Sequence, residues 1–246
     1  MDKVVFGGHG IGGLGDVLLY STLPELWSNQ GYKVYLQDIH FRNGDIRDML
    51  LLNPFVSGIT SIGTTYRMDN DARLAALCMQ LHNSIKGTEA YFGFEPKNTY
   101  PKVYFDLKNI SEFNNKIIID YNAITAPFTQ TQIEQYLNRL LQYNALILED
   151  AMITLPHHQT LPFHALNLPI YKINSLSQYA NIINSCKTFI TVSSGAAALA
   201  SAIKQDRDIP NVYCLIHNAI YNKHVWRWNN LDYFMTGTSH PDYSCF

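Results

Sequence analysis

The sequence predicts an α/β protein built as two similar halves, each a parallel sheet with helices packed on it. Three observations carry this. Short apolar runs rich in β-branched residues alternate with helical stretches in both halves, which is the pattern of α/β layers. The stretch Lys108 to Asn115, "KNISEFNN", breaks that alternation with polar residues of no strong period, so a boundary is expected there, between residues 1–112 and 113–246. Eight clean strand–helix units are missing, which argues against a single closed barrel.

Lys3 to Gly7 reads as a strand, the glycine-rich stretch after it as a loop, and Asp16 to Trp27 as a helix with apolar residues at Val17, Leu18, Tyr20, Leu23 and Leu26. Gly31 stops the helix and Tyr32 to Asp38 forms the next strand, so the chain opens with a βαβ unit. A short helix ends at Asn53-Pro54, a strand follows near Gly58 to Ile62, and a longer helix covers Asp71 to Ile85. "AYFGFEPKNTYPKVYFDL" combines turn residues with an extended run. In the second half "KIIIDYN" is a strand, Gln130 to Gln142 a helix and "ALILED" a strand; "SLSQYANIINSC", "TFITVSS" and "GAAALASAI" then read as helix, strand and helix. Open α/β sheets bind ligands beyond the carboxyl ends of their strands. Attention therefore falls on the loops after Phe6, Asp38, Asp120, Asp150 and Val192.

Composition narrows the function. With 47% hydrophobic and 15% charged residues and a formal net charge of -2, the chain has neither a disordered character nor a surface for polyanions, so no nucleic-acid partner is expected. No apolar run is long enough to span a bilayer and "MDKVVFGG" lacks the pattern of a signal peptide; the expectation is a soluble, cytoplasmic protein. The four cysteines, at 78, 186, 214 and 245, form no C-x-x-C pair, and His157-His158 lack the i, i+4 spacing of a helical metal pair, so no metal is expected.

Two stretches carry chemistry. The first, "GGHGIGGLGDVLL" from Gly7 to Leu19, holds the pattern G-x-G-x-x-G twice, between a strand and a helix. With Asp38 beyond the second strand it fits a dinucleotide-binding turn, which leaves an NAD(P)-dependent oxidoreductase open. Asp16 sits where that helix begins, a poor place for a fixed negative charge in a phosphate cradle. It is either a residue that stabilises the helix start or a general base at a cleft. The second stretch, "TFITVSSGAAALASAI", delivers Ser193, Ser194, Gly195 and Ala196 to the start of a helix of small residues. Backbone N–H groups, the positive helix end and two hydroxyls suit an anion there, although a serine N-cap with tight helix–sheet packing explains the same residues.

Together "GGLGDVLLYSTLPELWSNQGYKVYL", "LLNPFVSGI" and "SLSQYANIINSCKTFITVSSGAAALASAI" resemble, in the same order, the heptosyltransferase-like glycosyltransferases of family 9. That resemblance implies a GT-B fold, two Rossmann-like domains facing each other, and metal-independent transfer of a sugar from a nucleotide-sugar donor to a saccharide or glycoconjugate acceptor, with inversion and without a cofactor. It makes Asp16 the catalytic base and Ser193, Ser194 and Gly195, with Ala196, the donor-phosphate turn. The loop of His9, Gly10, Gly12, Gly13 and Gly15 then faces the acceptor. Glu149 and Asp150, at the end of "ALILED", are candidates for the donor ribose. Ser193 stands where the family has aspartate and Ala198 where it has histidine. "DYNAITAPFTQTQ" offers Thr125, Thr129 and Gln130 but no cation, a charge that Arg227 could supply. These departures leave a GT-B binding protein without catalysis as a further alternative. Acceptors of this family are often lipid-linked, so peripheral membrane contact stays open, although no basic amphipathic stretch demands it.

Overall fold

The computed structural model describes residues 2–6, 13–37, 44–61, 65–66, 72–122, 128–143, 148–156, 159–161, 163–217 and 228–236. The chain divides into two compact units, Met1–Asp106 with His224–Asn229, and Leu107–Lys223 with Asn230–Phe246.

In the first unit the order is β1 (Lys3–Phe6), α1 (Leu14–Leu19), α2 (Leu23–Asn29), β2 (Lys33–Gln37), α3 (Gly44–Leu51), β3 (Val56–Thr60), β4 (Thr65–Tyr66), α4 (Ala72–Gln80) and α5 (Ser84–Tyr91). The sheet runs β3-β2-β1-β4, with every pair parallel. Val4, Val5, Val34 and Leu36 are buried in it, α2 packs against β2, and Val17, Leu18 and Leu19 of α1 are buried as well. Between Val34 and Leu36 of β2 the partner strand advances from Val56 to Ile59, so β3 carries one extra residue, and Gly58 takes φ +144°, a value L side chains rarely adopt.

Two helices expected as single elements are each broken. The span from Asp16 to Trp27 divides because Pro24 has no N–H to continue the ladder; Tyr20 O instead accepts from Leu23 N–H at 3.1 Å, and Ser21 Oγ donates to Leu18 O at 2.7 Å. The span from Asp71 to Ile85 divides at His82, whose φ is +48°, and Asn83 caps α5 by accepting from Lys86 N–H at 2.9 Å. The two helices then pack without clearance: a Cβ on Gly87 would lie 2.6 Å from Cys78 Cα.

The stretch after α5, expected to hold an extended run, contains no strand between Phe94 and Ile110. Side chains hold its backbone in place of a ladder. Glu89, fully buried, accepts from Lys97 N–H at 2.8 Å, Asn98 N–H at 3.2 Å and Asn98 Nδ2 at 2.6 Å. Asn83 Nδ2 donates to Thr99 O at 2.9 Å, Lys102 N–H to Ser21 Oγ at 2.8 Å, and Lys102 pairs with Glu25. Buried backbone groups must be satisfied somewhere, and here three buried side chains do so.

The second unit contains β5 (Ile117–Asp120), α6 (Gln130–Tyr143), β6 (Ala151–Pro156), β7 (Ile170–Ile173), α7 (Leu176–Ser185), β8 (Thr188–Val192), α8 (Gly195–Lys204), β9 (Asn211–His217) and β10 (Asp232–Thr236). Its six strands are all parallel, in the order β10-β9-β8-β5-β6-β7. Numbered within the unit and read from β7, that is 3-2-1-4-5-6, the doubly wound order, and the direction of winding reverses between β5 and β8. The central strands are buried on both faces: Ile117, Ile118, Ile119, Phe189, Ile190 and Val192 all lie in the core.

Of "ALILED", expected as a strand, only the last three residues are described, and they are not strand. Leu148–Asp150 forms a short 3₁₀ turn and the strand begins at Ala151, which pairs with Ile117 at the start of β5. Glu149 and Asp150 thus precede their strand and stand at the amino edge of the sheet.

Candidate functional site

A crevice for ligand belongs at the carboxyl edge, where the winding reverses. There β5 and β8 run side by side, with Asp120 opposite Thr191, so the residues leaving β5 and the turn from β8 into α8 share one edge. The turn is built closely. Ser193 N–H extends the β8–β9 ladder by donating to Leu215 O at 3.1 Å. Ser194 is the N-cap of α8, its Oγ accepting from Ala196 N–H at 3.2 Å. The cap therefore takes one of the two hydroxyls; Ser193, half-buried, carries the other. Gly195 opens the helix, and buried Ala196, Ala197, Ala198, Ala200 and Ala202 let α8 lie close to the sheet. First-turn N–H groups of a helix lack intrahelical acceptors, and the helix end is positive, so this turn favours a negative charge.

Asp120 was visible in the sequence only as a strand end. The fold makes it a buried carboxylate, 5% exposed, that accepts from the Tyr179 phenol of α7 and, at 2.9 Å, from Asn122 N–H. Burial pushes its carboxyl up to about 6 against the pull of those two donors, and burial together with the neighbouring Asp120 holds the Tyr179 phenol well above its ordinary value. The link spans 59 residues of sequence and forms only once α7 packs over β5, which is why no local pattern announces it.

In the first unit Asp16 is the third residue of α1. Its Oδ2 accepts from Gly13 N–H at 2.9 Å, and Gly13 is the N-cap. The carboxylate thus stabilises the helix start, as one of the two sequence readings required, and is half-buried. A carboxylate accepts at both oxygens, so the cap leaves an oxygen able to meet a hydroxyl. Gly15 lies in the first turn of the same helix. His9, Gly10, Gly12, Asp38, Thr125, His157, His158 and Arg227 lie outside the described residues.

Glu149 and Asp150 do not gather at the carboxyl edge. Asp150 pairs with Lys116 at 3.2 Å, beside the amino ends of β5 and β6, and Glu149 precedes it, so this sheet edge is the wrong one for a ribose held beside α8. Thr129 accepts and donates within the first turn of α6, to and from Gln132, and Gln130 Nε2 donates to Glu134 at 3.0 Å. Among the described residues no group of three or more His, Cys, Asp or Glu could hold a metal ion, and no helix is long and apolar enough to cross a membrane.

No family model and no curated protein matches the chain. Solved structures do. The chain is similar to the iron-containing dodecameric glycosyltransferase TibC of enterotoxigenic E. coli, at 14% identity and a TM-score of 0.59, covering 87% of this chain and 57% of that one. It is similar to a family 9 glycosyl transferase of Veillonella parvula, at 11% identity and a TM-score of 0.57, over 98% of this chain and 89% of that one. It is also similar to the E. coli heptosyltransferase WaaC solved with ADP, at 12% identity and a TM-score of 0.58, over 96% and 93%. The chain thus spans little more than half the length of TibC and most of the length of the other two. Its fold is that of the heptosyltransferase-like GT-B glycosyltransferases.

Proposed function

We propose that this protein is a glycosyltransferase that moves a sugar from a nucleotide-sugar donor to a hydroxyl of a saccharide or glycoconjugate acceptor, by an inverting, metal-independent displacement. The observation that carries the reading is a heptosyltransferase-like fold whose second sheet turns, at its reversal of winding, into an anion-favouring helix start at Ser193, Ser194 and Gly195. ADP in the WaaC structure supports a nucleotide-activated donor. In a single displacement the acceptor oxygen bonds to the anomeric carbon as the bond to the diphosphate breaks. Asp16 takes the hydroxyl proton, and the departing diphosphate gains negative charge that the N–H groups and dipole of α8 stabilise without reorganising. The turn supplies hydroxyl and backbone donors where the resembling family has an aspartate at the position of Ser193.

Asp16→Asn tests the assignment cleanly, because an asparagine oxygen still accepts from Gly13 N–H and keeps the helix start. Transfer is measured with a panel of nucleotide sugars and saccharide acceptors, with thermal unfolding as the folding control. Transfer by the variant at nearly the wild-type rate would remove Asp16 from the role of base. Ser193 and Ala198, at positions where the family has aspartate and histidine, favour one second reading, a binding protein on the same fold: nucleotide binding without transfer to any acceptor would support it.

A further inference from the structure

The carboxyl edge of the second sheet holds a buried carboxylate that the displacement does not use. Asp120 ends β5, one strand across from β8, and Thr191 stands opposite it, two residues before Ser193. Strand spacing and rise put it about 8 Å from the turn into α8. Among the described residues its partners are the Tyr179 phenol and Asn122 N–H, so no cation answers its charge. The groups that face it are neutral between pH 5 and 8. Tyr179 of α7 and Cys186, the C-cap of that helix, are both raised by burial, and so is Tyr121. Glu134 of α6 acts on the Tyr121 phenol and is no partner of Asp120. β6 contributes Thr154, β8 contributes Thr191, and α8 has no titratable side chain before Lys204.

These surroundings accommodate a proton on the carboxyl. Tyr179 also meets the side chain of buried Thr154, whose Oγ1 donates to Ile119 O at 3.4 Å. With the carboxyl ionised, the phenol donates to Oδ2. With it protonated, Oδ2–H donates to the phenol oxygen, the phenol to Thr154 Oγ1 and Thr154 to Ile119 O, so every donor keeps an acceptor. Burial without a cation favours the neutral form, which persists up to about pH 6. A diphosphate at the start of α8 adds negative charge roughly 10 Å away. At the effective dielectric of a protein this extends the neutral form by about one pH unit for each unit of charge. We propose that Asp120 takes up a proton from solvent when the donor binds, so that acid tightens the hold on the donor diphosphate. This rests on the transferase reading above, which seats the diphosphate at α8.

Asp120→Asn tests it, because the amide reproduces the neutral form: its oxygen accepts from Asn122 N–H and its Nδ2 donates to the phenol. ADP-glucose, UDP-glucose and GDP-mannose serve as probes, since their diphosphates do not titrate between pH 5.5 and 8. Binding is measured by titration calorimetry across that range. At pH 6.5 it is repeated in two buffers of different ionisation enthalpy, which counts the protons taken up, and thermal unfolding at each pH is the folding control. In the wild type, affinity for the preferred probe is expected to fall tenfold or more from pH 5.5 to 8, with more than half a proton taken up per site at pH 6.5. In Asp120→Asn the affinity is expected to stay near its acid value at every pH, with no uptake. The wild-type proton count holds whether or not the variant folds. Wild-type binding that is independent of pH and takes up no proton overturns this proposal and leaves the transferase standing. So does a fall that persists in the folded variant, or a folded variant that binds weakly at every pH, the mark of a residue that only holds the exit of β5. No binding of any probe by the wild type at any pH overturns both.

Discussion

The strand-to-helix turns at α1 and α8 are both glycine-bearing, and they treat the positive end of a helix in opposite ways. At α1 the helix supplies its own anion: Asp16 accepts from Gly13 N–H and places a negative charge in the first turn. At α8 a neutral hydroxyl, Ser194 Oγ, closes the cap, and no acidic residue lies in the first turn. A helix start already neutralised by a carboxylate disfavours a second anion, whereas one capped by serine keeps its attraction for one. Of the two glycine-bearing turns, the chemistry of the cap favours the second for phosphate.

The most severe way to break this contrast is to remove the charge at α1. Asp16→Asn is expected to lower turnover by roughly 10²–10⁴-fold, the usual contribution of a general base, with little change in thermal midpoint; steady-state kinetics with the cognate donor checks it. The next effect concerns the other carboxylate, Asp120, which is buried beside the α8 edge. Its carboxyl is raised from 3.8 to about 6, so the folded state holds the proton more tightly than the unfolded chain. That contribution to stability is full below pH 4 and is lost as pH rises to 6, by an amount of at most about 3 kcal/mol. Denaturant unfolding from pH 4 to 7 should show this fall, and Asp120→Asn should flatten it.

Converting one turn into the other is milder. Ser194→Asp keeps a good N-cap and stabilises α8, by about 0.3–1 kcal/mol, while its charge is expected to weaken nucleoside diphosphate binding roughly tenfold. A raised thermal midpoint with weakened binding sharpens the contrast, and unchanged binding abolishes it. Smallest is Ser194→Ala, which removes the cap and should cost about 1 kcal/mol in stability, read by denaturant unfolding.

The sequence made both turns legible because each is a local event, a strand that leads through glycine into a helix. β1, β2, β5 and β8 were equally clear, being short apolar runs with a loop or helix beyond. What stayed hidden depends on distant partners. Pro24 and His82 divide helices whose apolar period continues across the break. β7 is a four-residue strand preceded by a 3₁₀ turn, and the described residues between β6 and β7 hold no α-helix of the kind that alternation leads one to seek. "ALILED" is apolar enough for a strand, but pairing with β5 starts the ladder at Ala151, which reverses the edge on which its acidic residues stand. Asp120 acquires its character from Tyr179, through packing that no spacing in the sequence reveals.

The extra residue at Gly58 bears on how the protein behaves in a concentrated solution. β3 is the outermost strand of the first sheet and carries exposed Ile59. A straight, apolar outer strand presents a row of unpaired backbone groups on which another chain can add, the first step toward insoluble aggregates. The bulge interrupts that row, and a residue such as valine in place of Gly58 would not hold φ +144°. The glycine thus favours solubility by denying a second chain a regular template.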